Sequence, residues 1–107
     1  MSDELRSIGH WIGGTPDPGA SGRTAPVFDP ARGVQTAEVA LASTAEVDAV
    51  VAVARQAART WNTTPLSRRT TMLFRLRELI DANRGRVAAA ITAEHGKVLS
   101  DAEGEIA

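Results

Sequence analysis

The chain contains no cysteine and no tyrosine, and Lys97 is its single lysine among eleven arginines. Without cysteine, these 107 residues hold no disulfide, no thiolate metal site and no cysteine nucleophile. Aromatics number four: Trp11, Phe28, Trp61 and Phe74. Much of the 43% apolar content is alanine, so side chains large enough to anchor a core are scarce. No apolar run reaches the roughly 18 residues that a membrane-spanning helix needs. The opening Met1-Ser2-Asp3-Glu4 is acidic and precedes no apolar stretch of the secretory type, so a cytoplasmic location is expected. A net charge of −1 and a pI near 6.1 give no overall attraction for nucleic acid or an anionic membrane. The nine glycines spell no G-x-G-x-x-G. Gly96-Lys97 lacks the upstream glycine of a phosphate loop, and Val98 stands where a Ser or Thr would hold magnesium.

What is present divides into an extended segment, 1–42, and a helical segment, 43–107. Ile8 to Ile12 reads as a short strand running into Gly13-Gly14 and a turn-rich loop from Thr15 to Gly22. Thr24 to Phe28 and Val34 to Leu41 read as two further strands. Asp29-Pro30-Ala31-Arg32-Gly33 separates them, with Pro30 presetting a turn and Gly33 free to take positive φ. An antiparallel hairpin is the economical arrangement of that pair. Ser43-Thr44-Ala45-Glu46 has capping-box spacing. Behind it Val47, Val50, Val51, Ala54, Ala58 and Trp61 share one helical face. Pro65 suits the first turn of a second helix, whose stripe is Leu66, Leu73, Leu76, Ile80, Val87 and Ile91. Gly85 costs about 1 kcal/mol inside that helix and predicts a bend or break around Asn83 to Arg86. Gly96 fits a left-handed C-terminal stop, and Ser100-Asp101-Ala102-Glu103 has the spacing of a second capping box. The sequence then closes about two turns into a helix with no stop signal, as a truncated polypeptide does. The fold class expected is α+β: an antiparallel hairpin region followed by two to three amphipathic helices.

Few residues offer chemistry. His10 and His95 are the only histidines, far apart in sequence, and no second ligand accompanies either. Glu94 and Lys97, three apart at a helix end, have the spacing of a weak ion pair. Arg68, Arg69, Arg75, Arg77, Arg84 and Arg86 face only Glu78 and Asp81 as local counter-charges. One reading is a stand-alone helical module that binds nucleic acid or a protein through this basic helix. The other is a solvated face of a larger protein. No aromatic residue interleaves the arginines as a single-strand binder would prefer, which favours the second.

Five pieces in order then carry a family resemblance. They are Trp11-Ile12-Gly13-Gly14, Val27-Phe28-Asp29-Pro30-Ala31-Arg32-Gly33, and Val39-Ala40-Leu41-Ala42-Ser43 leading into Val47-Asp48-Ala49-Val50. Arg69 with Leu73-Phe74, and Ile91-Thr92-Ala93-Glu94-His95-Gly96-Lys97, complete the set. In order and spacing they resemble the N-terminal part of an aldehyde dehydrogenase, over nearly everything after Ser7. The segments 8–14 and 94–102 are most similar to the CoA-acylating methylmalonate-semialdehyde dehydrogenase branch. Asp29 departs from the usual Asn, though both cap a turn through a side-chain oxygen. Arg32 departs from the usual Thr.

The resemblance implies an NAD-dependent oxidoreductase in which a cysteine thiolate attacks the aldehyde, hydride passes to NAD, and the thioester goes to CoA or water. It implies that the helices belong to the Rossmann-like α/β cofactor domain, with NAD and CoA bound by the whole enzyme and not by these residues. A small aldehyde as substrate, a place in valine catabolism and a homo-oligomer, dimer or tetramer, follow from the same likeness. No catalytic, cofactor-binding or metal-ligating residue is expected here. Pro30, Gly33, Trp61, Arg69, Glu94, Gly96 and Lys97 are its structural signature.

Overall fold

The computed structural model describes residues 5–107; the acidic opening Met1-Ser2-Asp3-Glu4 lies outside the described residues. Among the described residues five strands precede four helices, and the chain forms two compact units. One takes in the chain up to Phe28 with Gln35–Thr63; the other is Asp29–Val34 with Thr64–Ala107.

In the first unit the expected strand from Ile8 to Ile12 is split. Arg6–Ile8 (β1) and His10–Ile12 (β2) are separated by Gly9, where a β-carbon would collide with the Asp17 carbonyl oxygen. The stretch read as a loop from Thr15 supplies instead a strand, Thr15–Asp17 (β3), antiparallel to β2. Gly13 and Gly14, at φ 59° and 84°, close this hairpin in the two-residue form that needs positive φ twice. Its register sets His10 opposite Asp17, Trp11 opposite Pro16 and Ile12 opposite Thr15. Arg23–Asp29 (β4) and Val34–Leu41 (β5) are neighbours in a second sheet of order β1-β5-β4. A connection as short as 30–33 leaves them only the antiparallel arrangement. The outer partner is new: β1 runs parallel to β5, with Arg6 opposite Ala37 and Ile8 opposite Val39. Helix α1, Thr44–Thr63, follows directly, and none of its residues is buried.

The second unit holds the turn 29–34 and three helices: α2 (Leu66–Ala82), α3 (Arg84–His95) and α4 (Leu99–Glu105). Pro65 stands just outside α2 as its N-cap, at φ −55° and ψ 145°, and its carbonyl accepts from the Arg68 and Arg69 amides. The expected break falls on Asn83, at φ −113° and ψ 15°. Its side-chain amide donates to the Leu79 carbonyl at 2.8 Å, which ends one helix while the next begins. The second capping box does not form: α4 starts two residues earlier than that spacing requires, with Val98 as an N-cap that offers no side-chain bond. Ser100 is therefore inside the helix.

Among the described residues the buried apolar set is Ala37, Ala88 and Ala102, and no large side chain is fully buried. The stripes that sequence periodicity placed on one face are open instead: Val47, Val51, Trp61, Leu73 and Leu76 are all exposed. Each buried alanine removes little apolar surface from water, so burial contributes little to cooperativity. The 107-residue chain is expected to keep a helical far-UV signal and to melt over a broad range, followed by circular dichroism and calorimetry. A sharp calorimetric two-state transition would contradict this.

Candidate functional site

Four of the signature residues, Pro30, Gly33, Gly96 and Lys97, lie at a backbone node of the second unit. Asp29 Oδ1 accepts from the amides of Ala31 (2.9 Å) and Arg32 (3.3 Å), and its carbonyl accepts from Gly33 at 2.8 Å. That doubly tied turn, with Gly33 at φ 67°, holds out the Pro30 ring. Gly96 ends α3 in the left-handed region, φ 84°, and its amide donates to the Thr92 carbonyl at 2.9 Å. A β-carbon at Gly96 would lie 3.2 Å from Pro30 Cγ. Pro30 and Gly96 therefore meet, sixty-six positions apart in the chain. The next residue, Lys97, is ion-paired with Glu105 of α4, a partner that helix-spacing arithmetic with Glu94 did not reveal. The Lys97 hydrogen bond and charge, with a smaller contribution from His95, hold the Glu105 carboxyl below the usual carboxylate range. Arg69 sits in the first turn of α2 and Glu94 in the last turn of α3; Trp61 belongs to the other unit, near the end of α1.

In the first unit the capping box at Ser43 forms completely. Glu46 Oε2 accepts from the Ser43 amide (2.8 Å) and hydroxyl (2.7 Å), while the Ser43 Oγ accepts from the Glu46 amide at 3.2 Å. The second carboxylate oxygen takes the Ala20 amide at 2.5 Å, a tie across 26 positions that no local pattern announces. These donors, the Ser43 amide foremost and then Ala20, lower the Glu46 pKa to about 2. Arg23 Nη2 donates to the Ala42 carbonyl at 2.8 Å and the Ser21 hydroxyl donates to the Leu41 carbonyl, so the same strand end is tied to the loop twice more. Beside this network His10 Nε2 is buried against Gly19 and has no hydrogen-bond partner.

Two of the six arginines of this face have a carboxylate partner, and a third has an amide partner. Arg75 pairs with Glu78 at 2.9 Å, Arg84 with Asp81 at 3.3 Å, and Arg86 Nη1 donates to Asn83 Oδ1 at 3.2 Å. Each unit carries an open groove. One of about 410 Å³ is lined by Leu73, Leu76, Ile80 and Ile106 with Arg77 and Arg84. Another, of about 370 Å³, lies between β2 and the Val47–Val51 face of α1. Among the described residues no group of three or more His, Asp or Glu side chains could hold a metal ion.

Residues 18–107 match the family model described as the aldehyde dehydrogenase family. The chain belongs to the aldehyde dehydrogenase family. It is 39% identical over 103 residues to malonate-semialdehyde dehydrogenase 3 of Geobacillus kaustophilus (strain HTA426), covering 96% of this chain and 21% of that protein. It is 37% identical over 86 residues to malonate-semialdehyde dehydrogenase of Pseudomonas aeruginosa, 80% of this chain and 17% of that one. The solved methylmalonate-semialdehyde dehydrogenase of Oceanimonas doudoroffii superposes with a TM-score of 0.90 at 35% identity, over 95% of this chain and 21% of its own. A Sinorhizobium meliloti 1021 protein described as a methylmalonate-semialdehyde dehydrogenase and solved with NAD gives 0.91 at 36%, over 96% and 21%. The chain thus spans about a fifth of the length of the relatives it matches. Its α+β arrangement is that of the matching portion of the family's fold. No helix among the described residues is long and apolar enough to cross a membrane.

Two outcomes are expected from these ties. Gly96→Ala must place a β-carbon both in the left-handed region and against Pro30, and should destabilise the second unit by about 1–2 kcal/mol, read as a shift in urea midpoint. For Glu46, a folded-state pKa near 2 against an ordinary 4.5 means its contribution is complete above about pH 4.5 and is lost as pH falls towards 2. Between those limits Glu46→Gln should show a flatter decline in helical signal with acid than the parent. Parallel acid titrations of the two would overturn this assignment.

Proposed function

We propose that this chain is the N-terminal portion of an NAD-dependent malonate- or methylmalonate-semialdehyde dehydrogenase that oxidises a semialdehyde to an acyl-CoA through a cysteine thioester. The observation that carries the reading is the agreement of sequence and backbone over one continuous span: 39% identity to the Geobacillus enzyme and a TM-score of 0.91 to the NAD-bound Sinorhizobium structure. In this reading 1–42 is the hairpin segment and 43–107 the helical part of the cofactor domain. The nucleophilic cysteine comes from outside these residues, because the chain has none. CoA as acyl acceptor, a homo-oligomer and a cytoplasmic setting belong to the same proposal. Pro30, Gly33, Trp61, Arg69, Glu94, Gly96 and Lys97 act in it as bracing residues.

The residues present do not fit NAD. A dinucleotide phosphate favours a glycine-rich turn ahead of an open helix N-terminus. The N-terminus of α1 is instead closed by its own Ser43–Glu46 capping box, and the groove between β2 and α1 is open and mostly apolar. Contacts to NAD therefore fall to other parts of the enzyme. The stand-alone basic module is disfavoured by the local pairing of Arg75, Arg84 and Arg86.

A chimera tests the proposal. Replacing the matched 103 residues of the Geobacillus enzyme with those of this chain is expected to give a soluble protein that forms NADH from malonate semialdehyde, within roughly tenfold of the parent rate. The 107-residue chain alone is expected to give none above the blank. A soluble, folded chimera with no NADH formation would overturn the proposal.

A further inference from the structure

Thioesters react with thiolates and with free amines, and hardly at all with a guanidinium, which keeps its proton. The chain has no cysteine, eleven arginines and one side-chain amine, that of Lys97. This amine is engaged. Lys97 Nζ is ion-paired with Glu105, and only 19% of the lysine side chain is exposed, against 54% for the glutamate. The pair brackets α4: Lys97 stands just ahead of its N-cap, Val98, and Glu105 is its last residue. A helix dipole favours the reverse, with an anion at the head and a cation at the tail. The contact therefore holds against the preference of α4 and is no ordinary helix-end lock. Glu94, the carboxylate nearest Lys97 in sequence, belongs to α3, ahead of the Gly96 stop.

We propose that Lys97 is a guarded acylation site, at which Glu105 keeps the chain's one side-chain amine from acyl thioesters. An ammonium has no lone pair, so the nitrogen must leave the carboxylate and lose a proton before it can react. Its lone pair then attacks the thioester carbonyl carbon. The C–S bond breaks, and the sulfur leaves with the bonding pair as a thiolate, which takes up the released proton. The product is a neutral amide. With the lysine charge gone, the main influence that lowers the Glu105 carboxyl is gone too. Acyl-CoA, the product assigned above to the whole enzyme, is such a thioester. The guard itself depends only on the Lys97–Glu105 contact and meets an added reagent in the test, so it stands or falls apart from that assignment.

The test incubates the 107-residue chain with acetyl-CoA at mildly alkaline pH and times acetylation of Lys97 by peptide mass spectrometry. Each rate is divided by that of N-acetyl-lysine amide in the same solvent. The folded chain is expected to react more slowly than the chain in guanidinium chloride, by roughly fivefold or more. Glu105→Gln should keep the helical far-UV signal and raise the rate by roughly threefold or more. Glu94→Gln should leave it unchanged. Equal rates for the folded and denatured chain, no rise with Glu105→Gln, or an equal rise with Glu94→Gln would each overturn the proposal. Should Glu105→Gln lose its helical signal, salt decides: sodium chloride at about 1 M screens the pair and should raise the parent's rate. No rise there would overturn the proposal as well.

Discussion

Because so little apolar surface is withdrawn from water, the first unit depends on one carboxylate. Glu46 accepts from Ser43 at the exit of β5 and from Ala20 in the loop after β3, while its own amide is held by the Ser43 hydroxyl. Strand end, loop and helix start converge on two oxygen atoms. A hydrophobic core of ordinary size would spread that task over many non-directional contacts. Here the described residues bury only Ala37 in this unit, so position is set by directional bonds. The same carboxylate takes the Ser43 amide at the head of α1 and the Ala20 amide in the loop, which ties helix initiation to the placement of that loop.

The second unit follows a related economy with backbone shape in place of charge. Asn83 interrupts the long helical run by taking its own side chain back to Leu79, and Gly96 stops α3 by entering a conformation that costs other residues dearly. The two remaining buried alanines, Ala88 and Ala102, belong to α3 and α4, which pack together. Small side chains at such positions let backbones approach, and they leave the larger residues of both helices facing outward. The relatives are about five times as long, and the same backbone span recurs within them.

Features decided within a few residues were legible in the sequence. The Ser43–Glu46 box, the Asp29 turn, the break near Gly85 and the stop at Gly96 each depend on neighbours no more than four or five positions away. What escaped depends on distant partners. Thr15–Asp17 is too short for alternation to register, and Pro16 argues against a strand until its outward place beside Trp11 is known. The parallel pairing of β1 with β5 joins residues some thirty positions apart, beyond any periodicity. The box at Ser100 failed for the opposite reason: the spacing is present, but Val98 already begins the helix. The signature residues were named from resemblance. Geometry joins Pro30 to Gly96 directly and gives Lys97 a partner, Glu105, eight positions further along the chain.

The turn at Gly13-Gly14 also responds to handedness. Both residues hold positive φ, and around Gly14 there is nothing within 4 Å of where a β-carbon would stand. An L-residue there meets its own backbone, whereas its mirror image would find the conformation native and the space empty. A D-alanine at Gly14 would thus restrict the unfolded chain without touching the folded one, stabilising the hairpin through entropy alone. At this position chirality, not size or polarity, is what the fold discriminates.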